Sequence, residues 1–263
     1  MARTLDGKCA LITGSVRGLG LAAAHRLAEA GCKIVLNGID DSRDVDPIRA
    51  EVERAYGIQA IYCKADLRRP GDIETMMLAA ADAMGGVDIV INNAVVRHTA
   101  PVEAFGTSEW DESLAVNVSA AFHTIRLAVP GMKQRRWGRI INVSSIYGLR
   151  GAPNRVGYVT SKTALIGMTR AVALETVGHG ITCNAVCPGT TESPVHDETI
   201  RAAMARDALA RDEAERRFLT SKQPTGTFIA AANVAALIVF LCGTEASEIT
   251  GAVLPIDGGW SSS

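Results

Sequence analysis

The segment NRVGYVTSK, residues 154–162, places a tyrosine and a lysine four positions apart. In a helix this spacing stacks two side chains on one face, so Tyr158 and Lys162 would be neighbours, with Arg155 just ahead of them. Both groups normally ionise far above neutral pH. An ammonium beside a phenol favours the phenolate and lowers the pKa of the phenol, which is what proton transfer by a tyrosine requires. A solvated helix face has the same spacing, so the pair alone leaves both interpretations open.

A glycine-rich turn, TGSVRGLG, follows the first apolar run of the chain, with glycines at positions 14, 18 and 20. Glycine permits a tight turn and a close approach of the backbone to a ligand. A helix that begins near Gly18 would direct its free N–H groups at a pyrophosphate. The spacing is GxxxGxG rather than GxGxxG, but its place between a predicted strand and a predicted helix favours a dinucleotide site over a turn without a ligand.

The end of the second predicted strand bears on the choice between NAD and NADP. Asn37 and Gly38 stand where an NAD enzyme often has an acid for the ribose hydroxyls. Asp40 and Asp41 follow and would discourage a 2′-phosphate, whereas Arg17 in the glycine turn would attract one. These residues conflict, and their balance favours NAD slightly.

The elements that must position these residues follow an alternating pattern. Short, nearly continuous apolar runs are typical of strands covered on both faces, and helical patterns lie between them. The alternation predicts right-handed βαβ units in a Rossmann-type doubly wound parallel α/β sheet. The predicted strands are 9–13, 33–37, 60–64, 87–92, 139–144, 181–186 and 252–256, and the predicted helices are 18–30, 46–56, 70–84, 107–132, 157–177 and 230–242.

One segment, about 193–225, breaks this alternation because it has no strand pattern and is charged with helical periodicity. It follows the carboxyl end of a predicted strand, where α/β sheets bind ligands, which indicates a helical substrate lid. A pair of solvated surface helices fits the same pattern. The chain shows no linker, repeat or low-complexity tract, so residues 1–263 are interpreted as one dinucleotide-binding catalytic domain.

Composition excludes several classes of function. A formal net charge of −1 argues against a nucleic-acid-binding surface. The six cysteines lie mostly in apolar runs, as buried residues of a reducing compartment do, and no His/Cys cluster suggests a metal site. The N-terminus lacks the features of a signal peptide, and the longest apolar stretch, 230–242, is too short for a membrane span. These features predict a cytoplasmic protein without a membrane partner.

Motifs along nearly the whole chain resemble those of the short-chain dehydrogenase/reductase family, in the order and at the spacings of that family. Any one of them alone is weakly specific, whereas the set is highly specific. They are TGSVRGLG, the AD at 65–66, NNA at 92–94, the VN at 116–117, NVSS at 142–145, YVTSK, CPG at 187–189 and IDGG at 256–259.

The resemblance implies a catalytic set. Tyr158 would be the general base when an alcohol is oxidised and the general acid when a ketone is reduced. Lys162 would lower the pKa of that tyrosine and bind the nicotinamide ribose. Ser145 would hydrogen-bond the substrate oxygen, a role for which its neighbour Ser144 has a less suitable spacing. Asn117 would position a water that relays protons through the lysine.

The resemblance also implies a nicotinamide cofactor. Asp66 would meet the adenine, Asn93 and Ala94 the adenosine ribose, and Pro188, Gly189 and Ser193 would flank the nicotinamide. Val95 replaces the glycine that usually ends the NNAG motif, which predicts a slightly shifted loop or a weaker cofactor site. The predicted cofactor-binding residues are Gly14, Arg17, Gly18, Leu19, Gly20, Asn37, Asp66, Leu67, Asn93, Ala94, Tyr158, Lys162, Pro188, Gly189 and Ser193.

Within the family, stretches such as VLNG, RHTAPVE and SKQPTGTF resemble the bacterial 3-hydroxybutyrate dehydrogenases, which use NAD and bind a small carboxylate. The positions that bind the carboxylate differ here, where they are Arg97, Tyr147, Arg155, Thr190 and Thr199. Arginine presents a planar fork suited to carboxylate, sulfonate or phosphate. With the catalytic serine, the first four of these residues predict a pocket for a small anionic secondary alcohol or ketone other than 3-hydroxybutyrate. The alternative places both arginines on a solvated rim.

Two other functions remain open at this stage. The first is an NADPH-dependent 3-oxoacyl-carrier-protein reductase or general ketoreductase, which Arg17 supports. The second is a non-catalytic cofactor-sensing protein, against which the complete Ser145, Tyr158 and Lys162 set argues. The C-terminal strand resembles the edge by which family members pair, which implies a homotetramer. Trp260 at its end would reach an active site or lie in a subunit interface.

Overall fold

A computed structural model describes residues 3–192, 194–220 and 222–263, and its centre is a seven-stranded parallel sheet. The strand order is β3-β2-β1-β4-β5-β6-β7, so the direction of winding reverses between β1 and β4. Ligands of such sheets bind outside the carboxyl ends of the strands at this reversal. The strands are β1 (Cys9–Ile12), β2 (Lys33–Gly38), β3 (Ala60–Lys64), β4 (Ile89–Asn92), β5 (Gly138–Val143), β6 (Ile181–Pro188) and β7 (Val253–Ile256).

Helices cover both faces of the sheet, because successive strand residues point to opposite sides and nearly all of them are apolar. Ala10 and Ile12 of β1 pack in the layer that contains α1 and α9, whereas Cys9 and Leu11 pack in the layer that contains α3, α5 and α6. The predicted doubly wound α/β fold is confirmed. The helices are α1 (Gly18–Glu29), α2 (Ser42–Tyr56), α3 (Pro70–Met84), α4 (Thr107–Leu114), α5 (Ala120–Arg135), α6 (Val156–Thr176), α7 (Pro194–Asp207), α8 (Arg211–Thr220) and α9 (Ala231–Cys242).

Two predicted helices differ from the structure by more than their last few residues. The predicted helix 107–132 is interrupted, because a π-helical turn at Ala115–Ser119 separates α4 from α5. A π-turn inserts one residue into the helix, and such turns are frequent at functional sites. The predicted helix 46–56 begins earlier, because the carboxylate of Asp41 accepts a hydrogen bond from the N–H of Arg43 and caps the first turn of α2.

The charged segment after β6 forms two helices, α7 and α8, as its helical periodicity predicts. A β-bridge between Thr191 and Ile229 joins the two ends of this segment at its base. Arg211 links the helices, because its guanidinium contacts Asp197 of α7 at 2.7 Å and Glu215 of α8 at 2.7 Å. The six cysteines are free thiols, and none of the helices in the described ranges is long and apolar enough to cross a membrane.

Candidate active site

An open cavity of about 530 Å³ lies at the carboxyl ends of the strands, on both sides of the reversal between β1 and β4. Most of the predicted site residues line it. Gly18, Asn117, Tyr147, Arg155 and Thr190 are absent from the wall, and Ser193 lies outside the described residues. The predicted residues in the wall are Gly14, Arg17, Leu19, Gly20, Asn37, Asp66, Leu67, Asn93, Ala94, Arg97, Ser145, Tyr158, Lys162, Pro188 and Gly189.

The glycine turn presents open backbone donors to this cavity. Gly18 has a φ of 57° and no atom within 4 Å of where a Cβ would be, so its backbone conformation rather than space requires glycine. Arg17 precedes α1 without a side-chain cap, which leaves the N–H groups of the first turn free of side-chain partners. A helix N-terminus of this kind suits a phosphate, so the turn fits the pyrophosphate of a dinucleotide.

Two asparagines hold the shape of the turn. The amide of Asn93 donates to the carbonyl oxygens of Thr13 at 3.0 Å and Gly14 at 2.9 Å. The side-chain oxygen of Asn37 accepts the N–H of Gly14 at 3.2 Å, and its amide donates to strand β3. Val95 does not have a positive φ, so the replacement of the usual glycine introduces no backbone strain. Asn37 and Asn93 therefore shape the cofactor end of the cavity through bonds within the protein.

The acidic residues at the cofactor end of the cavity form ion pairs with arginines. The carboxylate of Asp66 contacts the guanidinium of Arg68 at 2.6 Å, and Arg68 also reaches Glu112 at 3.3 Å. The hydrogen bonds from Arg68 hold the pKa of Asp66 below its ordinary value. Arg17 and Asp40, which the sequence left in conflict, form an ion pair at 3.2 Å. Sequence reasoning missed Arg68 and Glu112, because 44 positions separate them and neither belongs to a motif.

Tyr158 and Lys162 lie one turn apart on α6, and both are buried. The Nζ of Lys162 is 5.8 Å from the centre of the Tyr158 ring and donates a hydrogen bond to the carbonyl of Val143 at 2.8 Å. Ser145 follows β5 and lies beside Tyr158, where its hydroxyl contributes to the lowered pKa of the phenol. Its oxygen also accepts the N–H of Tyr147 at 3.2 Å. The three predicted catalytic side chains therefore converge at one wall of the cavity.

The charges around the phenol set its ionisation. Burial opposes formation of the phenolate, but the positive charges of Lys162 and Arg97, with the polar groups of Ser145 and Arg97 beside the phenol, outweigh it. The pKa of Tyr158 is therefore lowered. The pKa of Lys162 is also lowered, chiefly because the residue is buried. The charge of Arg97 adds to this lowering, whereas Tyr158 opposes it. A buried phenol with a lowered pKa is suited to proton transfer near neutral pH.

The structure separates the two neighbouring serines. The hydroxyl of Ser144 donates to the carbonyl of Lys162 at 2.8 Å, which gives it a partner inside the protein.

Asn117 lies on the π-turn, and its amide donates to Ser161 at 3.1 Å and to the carbonyl of Val96 at 3.1 Å. Asn117 is therefore bound to α6 at Ser161, the residue before Lys162, and does not itself line the cavity.

A group of aromatic and basic side chains lies beside Tyr158 at the substrate end. The guanidinium of Arg97 is 5.5 Å from the centre of the Tyr158 ring, and that of Arg155 is 5.9 Å from the Tyr147 ring. The Tyr147 ring packs edge-on against Tyr158 at 6.2 Å and against Trp260 at 5.4 Å. Trp260 therefore contacts the site of its own chain.

Thr190 is buried on the turn after β6, where its N–H donates to the side chain of Gln223. Gly189 beside it has no room for a Cβ, which would lie 2.5 Å from the same Gln223 oxygen. The turn that borders the cavity is thus fixed to the end of the helical segment.

Within the described ranges, no group of three or more His, Cys, Asp or Glu side chains is arranged to hold a metal ion.

Comparison with known proteins agrees with this geometry. The profile of the short chain dehydrogenase family matches residues 8–203. A D-beta-hydroxybutyrate dehydrogenase of Cupriavidus necator is 42% identical over 257 residues, which cover 97% of this chain and 98% of the relative. A second protein of that name, from Rhizobium meliloti, is 39% identical, with 97% and 98% covered.

A solved structure is also similar over the whole chain. It is the L-sorbose reductase of Gluconobacter frateurii in complex with NADPH and L-sorbose, with a TM-score of 0.92, 26% identity, and 99% of this chain and 98% of that chain covered. The extent of these matches, together with the glycine turn and the Ser-Tyr-Lys wall, identifies the chain. It belongs to the short-chain dehydrogenase family and is an NAD(P)-dependent oxidoreductase that interconverts secondary alcohols and ketones.

Proposed function

We propose that the substrate is a small hydroxy acid whose anionic group is a carboxylate or sulfonate, and that NAD is the preferred cofactor. The observation that carries this proposal is the position of Arg97, which lines the cavity beside Tyr158, and of Arg155, which lies beside the neighbouring Tyr147. Neither arginine forms an ion pair with a carboxylate in the described part of the chain, within 4.0 Å. Guanidinium groups left without an acid at a cavity are suited to bind an anion from solution.

The catalytic wall supports a proton transfer coupled to hydride transfer. When bound, the nicotinamide supplies the acceptor or donor of the hydride. In alcohol oxidation the phenolate of Tyr158 takes the proton of the substrate hydroxyl, and Ser145 holds the same oxygen by a hydrogen bond. Lys162 keeps the phenolate form accessible through its charge. In ketone reduction the phenol returns the proton to the carbonyl oxygen. Asn117 would position the water that carries the proton onward.

Binding of an anion at the arginines would orient the alcohol toward the phenolate. Arg97 lines the cavity and lies over the ring of Tyr158, so an anion bound to it would sit next to the reacting oxygen, and Arg155 lies over the neighbouring ring of Tyr147. Two relatives named D-beta-hydroxybutyrate dehydrogenase support a substrate of the hydroxy-acid class. Thr190 stands where the 3-hydroxybutyrate dehydrogenases that the sequence resembles have a tryptophan, and this smaller residue supports a different member of that class.

The pairing of Arg17 with Asp40 supports NAD. Both oxygens of Asp40 accept hydrogen bonds from Arg17 at 3.2 Å, so the arginine that would attract a 2′-phosphate is already neutralised. Asp40 itself lines the cavity just beyond β2, where its charge would repel that phosphate. The expected ratio of kcat/KM therefore favours NAD over NADP.

The experiment is a panel of hydroxy carboxylates, hydroxysulfonates and matched neutral alcohols, assayed with NAD and with NADP by the absorbance of the reduced cofactor. We expect Arg155→Ala to lower kcat/KM for the anionic substrate about tenfold or more, because a charge-assisted contact is lost. Activity on the neutral alcohol should change far less. A fall of less than severalfold for the anion would contradict the proposed clamp. Preference for acyl thioesters with NADPH would favour an acyl-carrier-protein reductase instead.

We also propose that the protein acts as a cytoplasmic homotetramer. Strand β7 ends the sheet, and no further strand of the described residues pairs with its outer edge. Large apolar side chains are exposed on helices of both layers, which is typical of surfaces that other subunits cover. The six free cysteines are compatible with a reducing compartment.

A further inference from the structure

Two segments that are far apart in the chain meet at the cofactor end of the cavity. Arg68 lies on the loop after β3 and Glu112 lies on α4, and both line the cavity wall. The Nη1 of Arg68 is 3.3 Å from Oε1 of Glu112, and the other oxygen of that carboxylate is 2.8 Å from Nε2 of His98. The guanidinium of Arg68 is therefore fixed on one side by a carboxylate that is itself held in place.

The carboxylate of Asp66, which lines the same wall, is occupied by the same arginine. Its Oδ1 accepts hydrogen bonds from the backbone N–H of Arg68 at 3.0 Å and from Nε at 2.9 Å. Its Oδ2 accepts from Nε at 3.0 Å and from Nη2 at 2.6 Å. A carboxylate accepts hydrogen bonds at about four positions, and these contacts use them. The amino group of a purine base therefore finds no open acceptor on Asp66.

The guanidinium of Arg68 keeps its flat faces free of these bonds. All N–H groups of a guanidinium lie in its plane, so Asp66 and Glu112 hold it by its edges. The side chain is 51% exposed although Nε, Nη1 and Nη2 are all bonded. A guanidinium face stacks on an aromatic ring, whereas the ammonium of a lysine has no such face. The part of Arg68 that is available to a ligand is therefore a flat surface.

An apolar side chain lies at the same end of the cavity. Ile39 follows β2, the strand that pairs with β3, and it is 63% exposed in the cavity wall. Apolar surface left open to water in this way favours a ligand with an apolar face. Ile39 and Arg68 thus offer a flat heterocycle two surfaces to pack on, neither of which depends on its hydrogen-bonding groups.

We infer that Arg68 binds the adenine of the cofactor by stacking, and that Asp66 acts on the adenine through Arg68 rather than by accepting a hydrogen bond from its 6-amino group. Asp66 and Glu112 are then positioning residues that keep the guanidinium plane in the cavity wall. The inference does not depend on the substrate proposed above, because the family alone establishes a nicotinamide dinucleotide.

The first test compares NAD with nicotinamide hypoxanthine dinucleotide, in which a carbonyl oxygen replaces the 6-amino group of the base. Both bases have the same flat shape, so we expect their Kd values for the wild-type protein, measured by titration calorimetry without substrate, to differ by less than about fivefold. A free carboxylate that accepted the amino group would lose this charge-assisted bond and face an oxygen instead, which would weaken binding more than that.

The second test is Arg68→Lys, which keeps the positive charge beside Asp66 and Glu112 but removes the flat face. We expect the Kd to rise about threefold or more, by a similar factor for both dinucleotides. Arg69→Lys is the matched control, because Arg69 is 72% exposed, lies 3.9 Å from the same carboxylate and is not in the cavity wall. Its Kd values should equal those of the wild type.

A wild-type Kd for the hypoxanthine dinucleotide that is fivefold higher or more would overturn the inference, because the site would then read the amino group. A smaller rise in Arg68→Lys than about threefold would also overturn it, because charge alone would account for the role of Arg68. Both results would leave the proposed substrate class in place, since these titrations contain no substrate.

Discussion

Arg97 has an effect on Tyr158 that is separate from contact with a substrate. Its guanidinium lies over the phenol ring, and its positive charge helps to lower the pKa of Tyr158. Alcohol oxidation requires the phenolate, so activity rises as the pH passes through this pKa. In Arg97→Gln the phenolate loses that stabilisation and the pKa of Tyr158 rises. We expect the rising limb of kcat/KM against pH to move to higher pH, measured with a neutral secondary alcohol.

Arg155→Gln is the control for this measurement, because Arg155 acts on Tyr147 and is not among the charges that shift the pKa of Tyr158. Its pH profile with the neutral alcohol should coincide with that of the wild type. A profile of Arg97→Gln that also coincides with the wild type would show that Arg97 does not contribute to the ionisation of the phenol.

Whether the position of a site residue could be predicted from the sequence depends on which elements place its side chain. The spacing of Tyr158 and Lys162 is set by one helix, so their proximity could be predicted from α6 alone. The position of Arg97 over the phenol could not, because the arginine is on a loop after β4 and the tyrosine on a helix far along the chain.

At the scale of elements, the glycine turn and α1 depend on close packing at Gly20. A Cβ at this position would lie 2.2 Å from the carbonyl oxygen of Gly14 and 2.7 Å from the amide of Asn93. Both atoms belong to the hydrogen-bonded turn, so they cannot move away without breaking it. We expect Gly20→Ala to lower the free energy of unfolding by about 2 kcal/mol, measured by urea denaturation, and to weaken binding of the cofactor.

Gly71→Ala in α3 is the matched control, because a Cβ there would meet no atom within 4 Å. This variant should be as stable as the wild type or more stable by up to about 0.5 kcal/mol, since alanine restricts the unfolded chain and favours helix. Equal stability of Gly20→Ala and the wild type would show that the turn tolerates a side chain at its third glycine.

Hydrophobic periodicity predicted the helical elements better than their interruptions. The segments on both sides of the π-turn are helical, so the prediction ran from 107 to 132 without a break. The turn nevertheless brings Asn117 to Val96 and Ser161, which fixes the loop after β4 against α6. Side-chain hydrogen bonds across the fold decide this feature, and they are not visible in local sequence.

At the scale of the whole molecule, exposed apolar side chains occur on both layers of helices. Leu174 of α6 is 78% exposed and Phe122 of α5 is 50% exposed in one layer, and Phe240 of α9 is exposed in the other. A tetramer with three two-fold axes needs at least two different interfaces on each subunit. The two apolar surfaces meet this requirement, so the proposed homotetramer would use both.

Leu174→Glu should therefore remove one interface and leave the other. Burying a carboxylate without a partner is costly, so we expect the tetramer to separate into dimers, measured by size-exclusion chromatography with light scattering. Adding Phe240→Glu should give monomers. Leu78→Glu on α3, which is exposed to a similar degree, should remain tetrameric, because it lies outside the surface formed by α5 and α6. A wild-type monomer, or a tetramer that persists in Leu174→Glu, would contradict this assignment of the apolar faces.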